Sequence, residues 1–306
     1  MSAWPRVLVT GAQGQVGRAL LQSFADSAEV IACDRSTLDL SNPEKIRTRI
    51  REAAPDVIVN SGAYTAVDRA ESEQELAMAI NGRAPGVLAE EARRAGALLI
   101  HYSTDYVFDG SRTAPWVEDD ATNPLSVYGA TKLAGEDAVR NIGGRFLIFR
   151  TSWVYAPEGK NFLLTMLRLG RERDTLNIVD DQIGAPTTAA ELARATHAIT
   201  TGILEDAFRA ADDWAGIYHM TCSGSVSWCG FARAIFERVP GLLDGRSPKV
   251  NPIATCDYPT PAKRPRNSVL SNEKLHRRFG IRLSSWESAL DDVLAAISAK
   301  QNTSGS

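Results

Sequence analysis

A glycine-rich turn directly after the first apolar segment constrains the fold of this chain more than any other feature. Residues Arg6–Thr10 have the composition of a buried strand, and Gly11-Ala-Gln-Gly-Gln-Val-Gly17 follows at once. A G-x-x-G-x-x-G turn that opens onto a helix can hold a pyrophosphate, because its backbone N–H groups and the helix dipole point at the ligand. A tight turn without a ligand is the alternative. The residues predicted to bind a dinucleotide are Gly11, Gln13, Gly14, Gln15, Val16 and Gly17.

Short apolar segments alternate with longer amphipathic segments through residue 151. Strands are predicted at Arg6–Thr10, Glu29–Asp34, Asp56–Asn60, Leu98–Ser103 and Arg145–Thr151. Helices are predicted between them at Gly17–Ala25, Pro43–Ala53, Glu73–Arg94 and Tyr128–Asn141. This alternation implies an α/β fold with a doubly wound, Rossmann-type parallel sheet that binds ligands at the carboxyl ends of its strands.

The rest of the chain predicts a smaller C-terminal substrate-binding lobe, since 306 residues exceed the usual single-domain length. After residue 152 the alternation loosens, and five prolines between positions 248 and 265 indicate a loop-rich region. We assign 1–153 and part of about 184–215 to a dinucleotide-binding domain. The lobe takes about 154–183 and 216–300, including a strand at Gly216–Met220, and 301–306 predict a disordered tail.

Composition narrows the class of partner and the compartment. A net charge of −3 gives the chain no general attraction to nucleic acid or to an anionic membrane. The four cysteines show no C-x-x-C spacing, and we find neither a secretory leader nor an apolar run of membrane-spanning length. These features predict a cytoplasmic protein with reduced thiols. The four scattered histidines lack a metal-ligand pattern, so we predict no metal site.

The end of the second predicted strand bears on the choice between NADH and NADPH. Asp34 follows the glycine turn by about 20 residues, where a carboxylate can accept hydrogen bonds from the adenosine ribose. Arg35 beside it can pair with a 2′-phosphate. The two residues therefore point to NADH and NADPH at once, and either can instead be an ordinary solvated charge.

Tyr128 and Lys132 stand four positions apart, on one face of a predicted helix. A nearby cation lowers the pKa of a phenol from near 10 toward the working range, so the lysine would tune the tyrosine for proton donation. Ser103 or Thr104, at the end of the fourth predicted strand, can present a hydroxyl to the same crevice, although turn-making and helix capping are alternatives. These groups would surround one carbonyl.

Motifs along nearly the whole chain carry a resemblance to one family. They are Gly11–Gly17, Val57–Asn60, Ala63–Asp68, Tyr102–Phe108, Tyr128–Glu136, Arg150–Tyr155, Asp181–Thr187 and Arg264–Ser268. The chain resembles the extended short-chain dehydrogenase/reductases, and within them reductases of sugar nucleotides. The later motifs discriminate best, because the glycine turn and the Tyr/Lys pair occur throughout the superfamily. The resemblance implies hydride transfer from NADPH or NADH to the C4 keto group of a dTDP-linked 4-keto-6-deoxy sugar.

The resemblance also implies roles for individual residues. Tyr128 would donate the proton, Lys132 would assist it and bind the ribose, and Thr104 would donate a hydrogen bond to the keto oxygen. The residues implied to line the cofactor are Asp39, Leu40, Ala63, Tyr64 and Thr65, together with Tyr128 and Lys132. The residues implied to contact the sugar nucleotide are Thr104, Asp105, Trp153, Arg264 and Arg266. Core packing is the alternative for Trp153, and a solvated loop is the alternative for the two arginines.

The same scaffold supports further functions, which stay open at this point. Dehydratases of this superfamily carry Asp-Glu after the active-site threonine, whereas Tyr106 follows Asp105 here, which argues against elimination. An epimerase or a non-catalytic dinucleotide-binding regulatory subunit would also be compatible with these motifs. A homodimer is possible. Some family members dimerise through a magnesium ion held by a glutamate two residues after the third glycine, but that position is Ala19 here.

Overall fold

The computed structural model describes residues 4–206, 214–239, 243 and 245–304. The strands are β1 (Arg6–Thr10), β2 (Glu29–Cys33), β3 (Val57–Asn60), β4 (Leu98–Thr104), β5 (Phe146–Thr151), β6 (Val154–Tyr155), β7 (Thr175–Val179), β8 (Ile183–Gly184), β9 (Thr187–Thr188), β10 (Gly216–His219), β11 (Val226–Ser227) and β12 (Lys249–Ile253). The helices are α1 (Gln15–Phe24), α2 (Pro43–Ala53), α3 (Val67–Ala70), α4 (Gln74–Ala77), α5 (Ala84–Ala95), α6 (Val127–Ile142), α7 (Phe162–Glu172), α8 (Ala189–Leu204), α9 (Trp228–Arg238), α10 (Glu273–Phe279) and α11 (Trp286–Ser304).

One parallel sheet holds six strands in the order β2-β1-β3-β4-β5-β10. The chain passes from β1 to β2 on one side and returns to β3 on the other, so the strand order reverses between β1 and β3. Open α/β sheets bind ligands at such a reversal, beyond the carboxyl ends of the strands. The predicted doubly wound, Rossmann-type sheet is confirmed.

Helices cover both faces of this sheet because its central strands are apolar on both sides. In β1, Val7 and Val9 pack into one core with side chains of α1 and α8. Leu8 lies between them and packs into the opposite core, with side chains of α2 and α5. Alternate side chains of a strand point to opposite faces, so one short segment supplies both cores. This burial fixes the strand ends that carry the candidate site.

A separate core holds most of the C-terminal region together. Side chains of α7, α9 and α11 pack around Phe231, Leu163 and Leu290, which are all essentially buried. Strands β7 and β12 pair in parallel beside this cluster. Among the described helices, none is both long and apolar enough to cross a bilayer.

Strand β10 departs from the sequence prediction, which places Gly216–Met220 in the smaller lobe. Residues Gly216–His219 instead form the outer strand of the main sheet, in parallel register with β5. Tyr218 packs in the same core as Leu275 and Phe279 of α10. An outer parallel strand needs cover on its face, and α10 supplies it from late in the chain.

The single helix predicted over Glu73–Arg94 is instead three consecutive segments. A π-helical segment, Met78–Arg83, separates α4 from α5. Pro85 has no N–H to donate to the carbonyl of Asn81, so the regular helical ladder is interrupted there. Gly135 of α6 packs closely against that carbonyl, since an added Cβ would lie 2.1 Å from its oxygen.

The last helix reaches into the segment 301–306, for which a disordered tail stays a prediction. Helix α11 continues through Ser304, and residues 305–306 lie outside the described residues. Trp286, Leu290, Val293 and Ile297 recur at helical spacing and are buried. This buried face anchors the helix, which continues for about two turns after Ile297.

Candidate active site

The glycine turn has the geometry of a dinucleotide site. Gly11 has φ +65°, and an added Cβ there would lie 2.7 Å from the Cα of Gly62, at the end of β3. A Cβ on Gly17 would lie 2.2 Å from the carbonyl oxygen of Gly11. Helix α1 starts after Gly14, which makes no side-chain capping hydrogen bond, so the helix presents its first N–H groups to the crevice. This uncapped, glycine-walled helix end fits a pyrophosphate.

The side chains of the turn connect it to its surroundings. Gln13 donates from Nε2 to Oδ2 of Asp34 at 2.6 Å, across the ends of β1 and β2. Gln15 accepts from Nδ2 of Asn161 at 2.7 Å, which joins α1 to the start of α7. Val16 packs against the sheet core, so its side chain is structural and its backbone faces the turn. The turn is thereby fixed at both ends.

Asp34 and Arg35 lie at the carboxyl end of β2, as the sequence predicts. Hydrogen bonds from Ser36, led by its hydroxyl, and from Thr37 lower the pKa of the Asp34 carboxyl to about 2. Asp34 is therefore a fixed anion, and Arg35 beside it is exposed. An anion that favours ribose hydroxyls and a cation that favours a phosphate stand side by side, so the geometry leaves both cofactors open.

The loops after β2 and β3 carry the other residues implied to line the cofactor. Asp39 accepts from the backbone and the hydroxyl of Ser41 at 2.9 and 2.7 Å, which lowers its pKa. A Cβ on Gly62 would lie 2.7 Å from Cδ1 of Leu40, so these two loops touch. Ala63 and Tyr64 follow, half-buried, and Thr65 is exposed.

Asn81 fixes the position of the loop after β3, a role that the sequence does not indicate. Its Oδ1 accepts from the Tyr64 N–H at 2.8 Å, and its Nδ2 donates to the Tyr64 carbonyl at 3.0 Å. The same amide lies 3.3 Å from Oγ1 of Thr131 on α6. Asn81 belongs to the π-helical segment, and such segments occur often at functional sites.

Thr104, beside the predicted proton donor, is hydrogen-bonded to a buried carboxyl. Thr104 donates from Oγ1 to Oδ1 of Asp105 at 3.0 Å and also accepts from the Tyr106 N–H at 3.2 Å. The Tyr128 hydroxyl is near enough to Thr104 for this side chain to lower the pKa of the phenol. The structure thus brings Thr104 and Tyr128 together, as the resemblance implies.

The electrostatics of Tyr128 run opposite to the sequence prediction. Burial raises the pKa of Tyr128 to about 12; the Thr104 hydrogen bond lowers it and the Asp105 carboxylate raises it. Lys132 is not among the groups that shift this pKa, and its Nζ donates to the Tyr102 carbonyl at 2.6 Å. Tyr128 is accordingly a neutral phenol that keeps its proton.

Asp105 is the other titratable group of this cluster. Burial raises its pKa to about 6, while hydrogen bonds with Ser268 and Thr104 lower it. Its Oδ2 is buried and has no hydrogen-bond partner among the described residues. A buried acceptor without a partner is costly, so this oxygen suits a ligand hydroxyl.

Ser103, the alternative to Thr104, serves a structural role instead. Its hydroxyl donates to Oε1 of Glu136, which is buried in α6. Arg150 of β5 pairs with the same carboxylate at 2.7 Å, and both side chains are almost fully buried. Successive side chains of a strand point to opposite faces of the sheet, so Thr104 does not share the contact that Ser103 makes with Glu136.

Trp153 lies at the carboxyl end of β5 in an unusual backbone conformation. Its φ of +49° falls in the left-handed region, where a bulky residue is rare. Its indole stacks on Trp228 with ring centroids 3.4 Å apart and planes 6° apart. Gly184 leaves room for the ring, since a Cβ there would lie 2.4 Å from Cε2 of Trp153. Trp228, which the sequence does not single out, therefore shares this wall of the crevice.

The two arginines implied to contact the substrate differ in their surroundings. Arg264 is half-buried and donates to Oδ2 of Asp68 at 2.8 Å. Asp68 also accepts from the Ala262 N–H at 3.2 Å, so the late loop is held against α3. Arg266 is exposed, and its backbone packs on Gly110, where a Cβ would lie 2.5 Å from its nitrogen. Only Arg264 is held in a defined direction by a counter-charge.

Polar residues that the sequence does not single out also complete the site. Asp68 and Ser268 lie inside the motifs Ala63–Asp68 and Arg264–Ser268. The sequence therefore marks both segments, but it does not predict which side chains these two residues contact. Asn81 and Trp228 leave no local signal. Among the described residues, no group of three or more His, Cys, Asp or Glu side chains could hold a metal ion.

The glycine turn at a strand-order reversal, with Thr104 and Tyr128 beside it, places the chain in the class of nicotinamide-dependent oxidoreductases. The family model described as the RmlD substrate binding domain matches residues 5–299. The dTDP-4-dehydrorhamnose reductase of Burkholderia thailandensis is 50% identical over 289 residues, which cover 93% of this chain and 96% of that protein. This chain belongs to the dTDP-4-dehydrorhamnose reductase family.

Solved structures of the same family match the fold. A dTDP-4-dehydrorhamnose reductase from Clostridium acetobutylicum superposes with a TM-score of 0.87 and 38% identity, over 96% of this chain and 99% of that chain. The reductase from Bacillus anthracis, solved in complex with NADP, gives a TM-score of 0.86 and 34% identity over the same shares. The likeness therefore spans the main sheet and the C-terminal lobe together.

Proposed function

We propose that this protein reduces dTDP-4-dehydro-β-L-rhamnose to dTDP-L-rhamnose, with NADPH or NADH as the reductant and Tyr128 as the proton donor. The observation that carries the proposal is that Thr104, at the end of β4, and Tyr128, on α6, are neighbours beside a sheet whose first strand leads into the glycine turn. The names of the relatives support the substrate, and the NADP complex of the Bacillus anthracis reductase supports the cofactor.

The reduced nicotinamide, when bound, supplies the hydride for C4 of the keto sugar. Tyr128 then transfers its phenolic proton to the O4 oxygen, where negative charge develops. An alkoxide is a stronger base than a phenolate, so a phenol with a pKa of about 12 can still complete this transfer. For Thr104 to stabilise this charge, its hydroxyl turns from Asp105 and donates its one proton to the same oxygen.

Lys132 binds and orients in this mechanism. Burial lowers its pKa to about 8, so the ammonium form predominates below that pH. Its Nζ already donates to the Tyr102 carbonyl and has further N–H bonds for ribose hydroxyls. The free Oδ2 of Asp105 can accept from a sugar hydroxyl, and Arg264 can pair with the pyrophosphate.

The two cofactors remain joint candidates in this proposal. Asp34 is held as an anion and favours the ribose of NADH, whereas Arg35 favours the 2′-phosphate of NADPH. A cytoplasmic location fits a reaction that uses two charged, phosphorylated small molecules, and we include it in the proposal. A homodimer stays a prediction.

A panel of dTDP-, UDP- and GDP-linked 4-keto-6-deoxy sugars, each with NADPH and with NADH, tests the proposal. We expect loss of the reduced-nicotinamide absorbance to be fastest with the dTDP-linked 4-keto sugar, in amounts equal to the rhamnose product formed. Epimer formation without net cofactor oxidation would indicate an epimerase. Cofactor binding without turnover of any sugar in the panel would indicate a regulatory subunit.

A further inference from the structure

A row of buried polar side chains leads from the glycine turn to Lys132, and neither the family resemblance nor the proposed mechanism uses it. Thr10, Asn60 and His101 are register partners on β1, β3 and β4. Each is 1% exposed, and Lys132 on α6 is 2% exposed. Four polar side chains buried in one line are costly unless each is satisfied.

The donors along this row have one consistent arrangement. Oγ1 of Thr10 accepts from the Gly62 N–H at 3.1 Å, and it donates its own proton to Oδ1 of Asn60 at 2.6 Å, because an amide oxygen can only accept. The Asn60 amide therefore turns its Nδ2 toward Nδ1 of His101, at 2.9 Å. Because Nδ1 accepts this bond, the ring proton of a neutral His101 is placed on Nε2.

The placement of that proton matters for Lys132. Nζ of Lys132 lies 3.5 Å from Nε2 of His101. An ammonium there meets an N–H bond rather than a lone pair, whereas a neutral amine can accept from Nε2–H. The histidine thus disfavours the charged lysine and directs its N–H bonds away, toward the Tyr102 carbonyl at 2.6 Å.

The charged surroundings agree with this arrangement. Burial, followed by the Lys132 charge, holds the pKa of His101 well below its ordinary value, so the ring stays neutral. The other titratable groups near Lys132 are Tyr128 one turn earlier and Glu136 one turn later on α6. Glu136 raises the pKa of Lys132, but its carboxylate is shared with Arg150 of β5.

We propose that His101, oriented by Asn60 and Thr10, is a positioning residue that sets the direction and the proton affinity of Lys132. The inference rests on the proposed function only in giving Lys132 a role at the cofactor ribose. Thr10 acts through two intervening side chains, and it lies directly before the glycine turn. The row therefore links the cofactor turn to the lysine through a single histidine tautomer.

The first test observes the tautomer. In the full chain labelled with 15N-histidine, we expect the His101 ring to carry its proton on Nε2 at pH 7, with His101→Gln used to assign the signals. Thr10→Val removes the donor to Asn60, so the amide can turn and its oxygen can accept from Nδ1. We expect the Nδ1–H tautomer in that variant. An Nδ1–H ring in the unmodified protein would overturn the proposal.

The second test measures how the affinity for NADPH depends on pH, with no sugar present. We expect binding to weaken as Lys132 loses its proton near pH 8. In His101→Gln and in Thr10→Val, a lone pair of residue 101 can face the Lys132 ammonium and stabilise it. The pH at which NADPH binding is half weakened should therefore rise by roughly one pH unit. The change at Thr10 is diagnostic, because its hydroxyl does not touch Lys132.

Thr196→Val is the matched control. Thr196 is an equally buried threonine whose Oγ1 bonds to the Tyr102 hydroxyl at 2.6 Å, within the core that faces α8. We expect the pH midpoint of NADPH binding in Thr196→Val to equal that of the unmodified protein. Unchanged midpoints in folded His101→Gln and Thr10→Val would overturn the proposal. Absence of turnover with keto sugars would contradict the proposed function and leave both measurements valid.

Discussion

The two sides of the crevice are built in different ways. On the cofactor side, the turn after β1, the loop after β3 and the row Thr10-Asn60-His101 all follow from strand ends in register. On the substrate side, contacts join residues that are far apart in the chain, such as Arg264 with Asp68 and Trp153 with Trp228. The cofactor side is thus fixed by burial of the sheet, whereas the substrate side can change without changing the fold.

Tyr128 lies where the two sides meet, and its substitution should have the largest effect. Tyr128→Phe keeps the ring, which contacts Tyr106 edge-on with centroids 5.5 Å apart, and removes only the hydroxyl group that carries the proton. Loss of a general acid typically costs about 10²–10⁴ in rate, so we expect kcat to fall by that factor. Steady-state assays with the dTDP-linked keto sugar measure it.

The same variant should leave both binding sides intact. Fluorescence titration should give an NADPH dissociation constant within about twofold of that of the unmodified protein. A twofold change corresponds to well under about 1.4 kcal/mol of binding free energy. Undiminished turnover in Tyr128→Phe would remove Tyr128 as the proton donor. A large loss of cofactor affinity would instead show that the two sides are coupled through this ring.

On the cofactor side, Gly17→Ala should damage folding and cofactor binding together. The new Cβ would lie 2.2 Å from the Gly11 carbonyl oxygen, so the turn must move. Overpacking of this kind typically costs about 1–3 kcal/mol, and we expect the free energy of unfolding to fall by that amount. Chemical denaturation measures it, and an NADPH titration should show weaker binding.

Gly14→Ala is the graded control for this effect. Its Cβ would lie 3.1 Å from the same Gly11 oxygen, and its backbone is extended with φ −74°. The smaller displacement should lower stability by clearly less than Gly17→Ala does. Equal losses in the two variants would mean that close packing at Gly17 does not shape the turn.

The contrast between the two sides also explains what the sequence can predict. The glycine turn and the Tyr128/Lys132 pair are local patterns, so their place at the strand ends follows from β-α alternation. The tuning of Tyr128 by Lys132 stays a prediction, because the direction of the Lys132 ammonium depends on the Tyr102 carbonyl, which no local pattern reveals. Trp228 and Asn81 have no local signal, since their roles depend on tertiary packing.

Strand β10 shows the same limit at the level of the fold. Its four residues pair with β5 from a position about 70 residues later, and helix α10 covers them from further along still. A short extended segment in the C-terminal region carries no mark of the sheet that it joins. Order along the chain therefore predicts the first five strands and misplaces the sixth.

On the substrate side, the two arginines offer the smallest and most selective test. Arg264 is directed by Asp68, whereas Arg266 is exposed, so the truncation Arg264→Ala should matter more than Arg266→Ala. A hydrogen bond to a charged group is worth about 1.5–3 kcal/mol, so Arg264→Ala should raise KM for the sugar nucleotide roughly tenfold or more. Arg266→Ala should change it by less than about threefold, as exposed ion pairs usually do.

Stability and cofactor affinity should stay nearly constant in both arginine variants, because the Arg264–Asp68 pair is partly exposed and such pairs contribute about 0–1 kcal/mol. Denaturation curves and NADPH titrations check this, beside the KM values. Asp68→Asn sharpens the comparison: it keeps the hydrogen bond to Ala262 possible and removes the counter-charge that directs Arg264. If KM for the sugar nucleotide is unchanged in Arg264→Ala, the loop that carries Arg264 does not bind the pyrophosphate. Substrate binding is then assigned to Trp153, Trp228 and Asp105 instead.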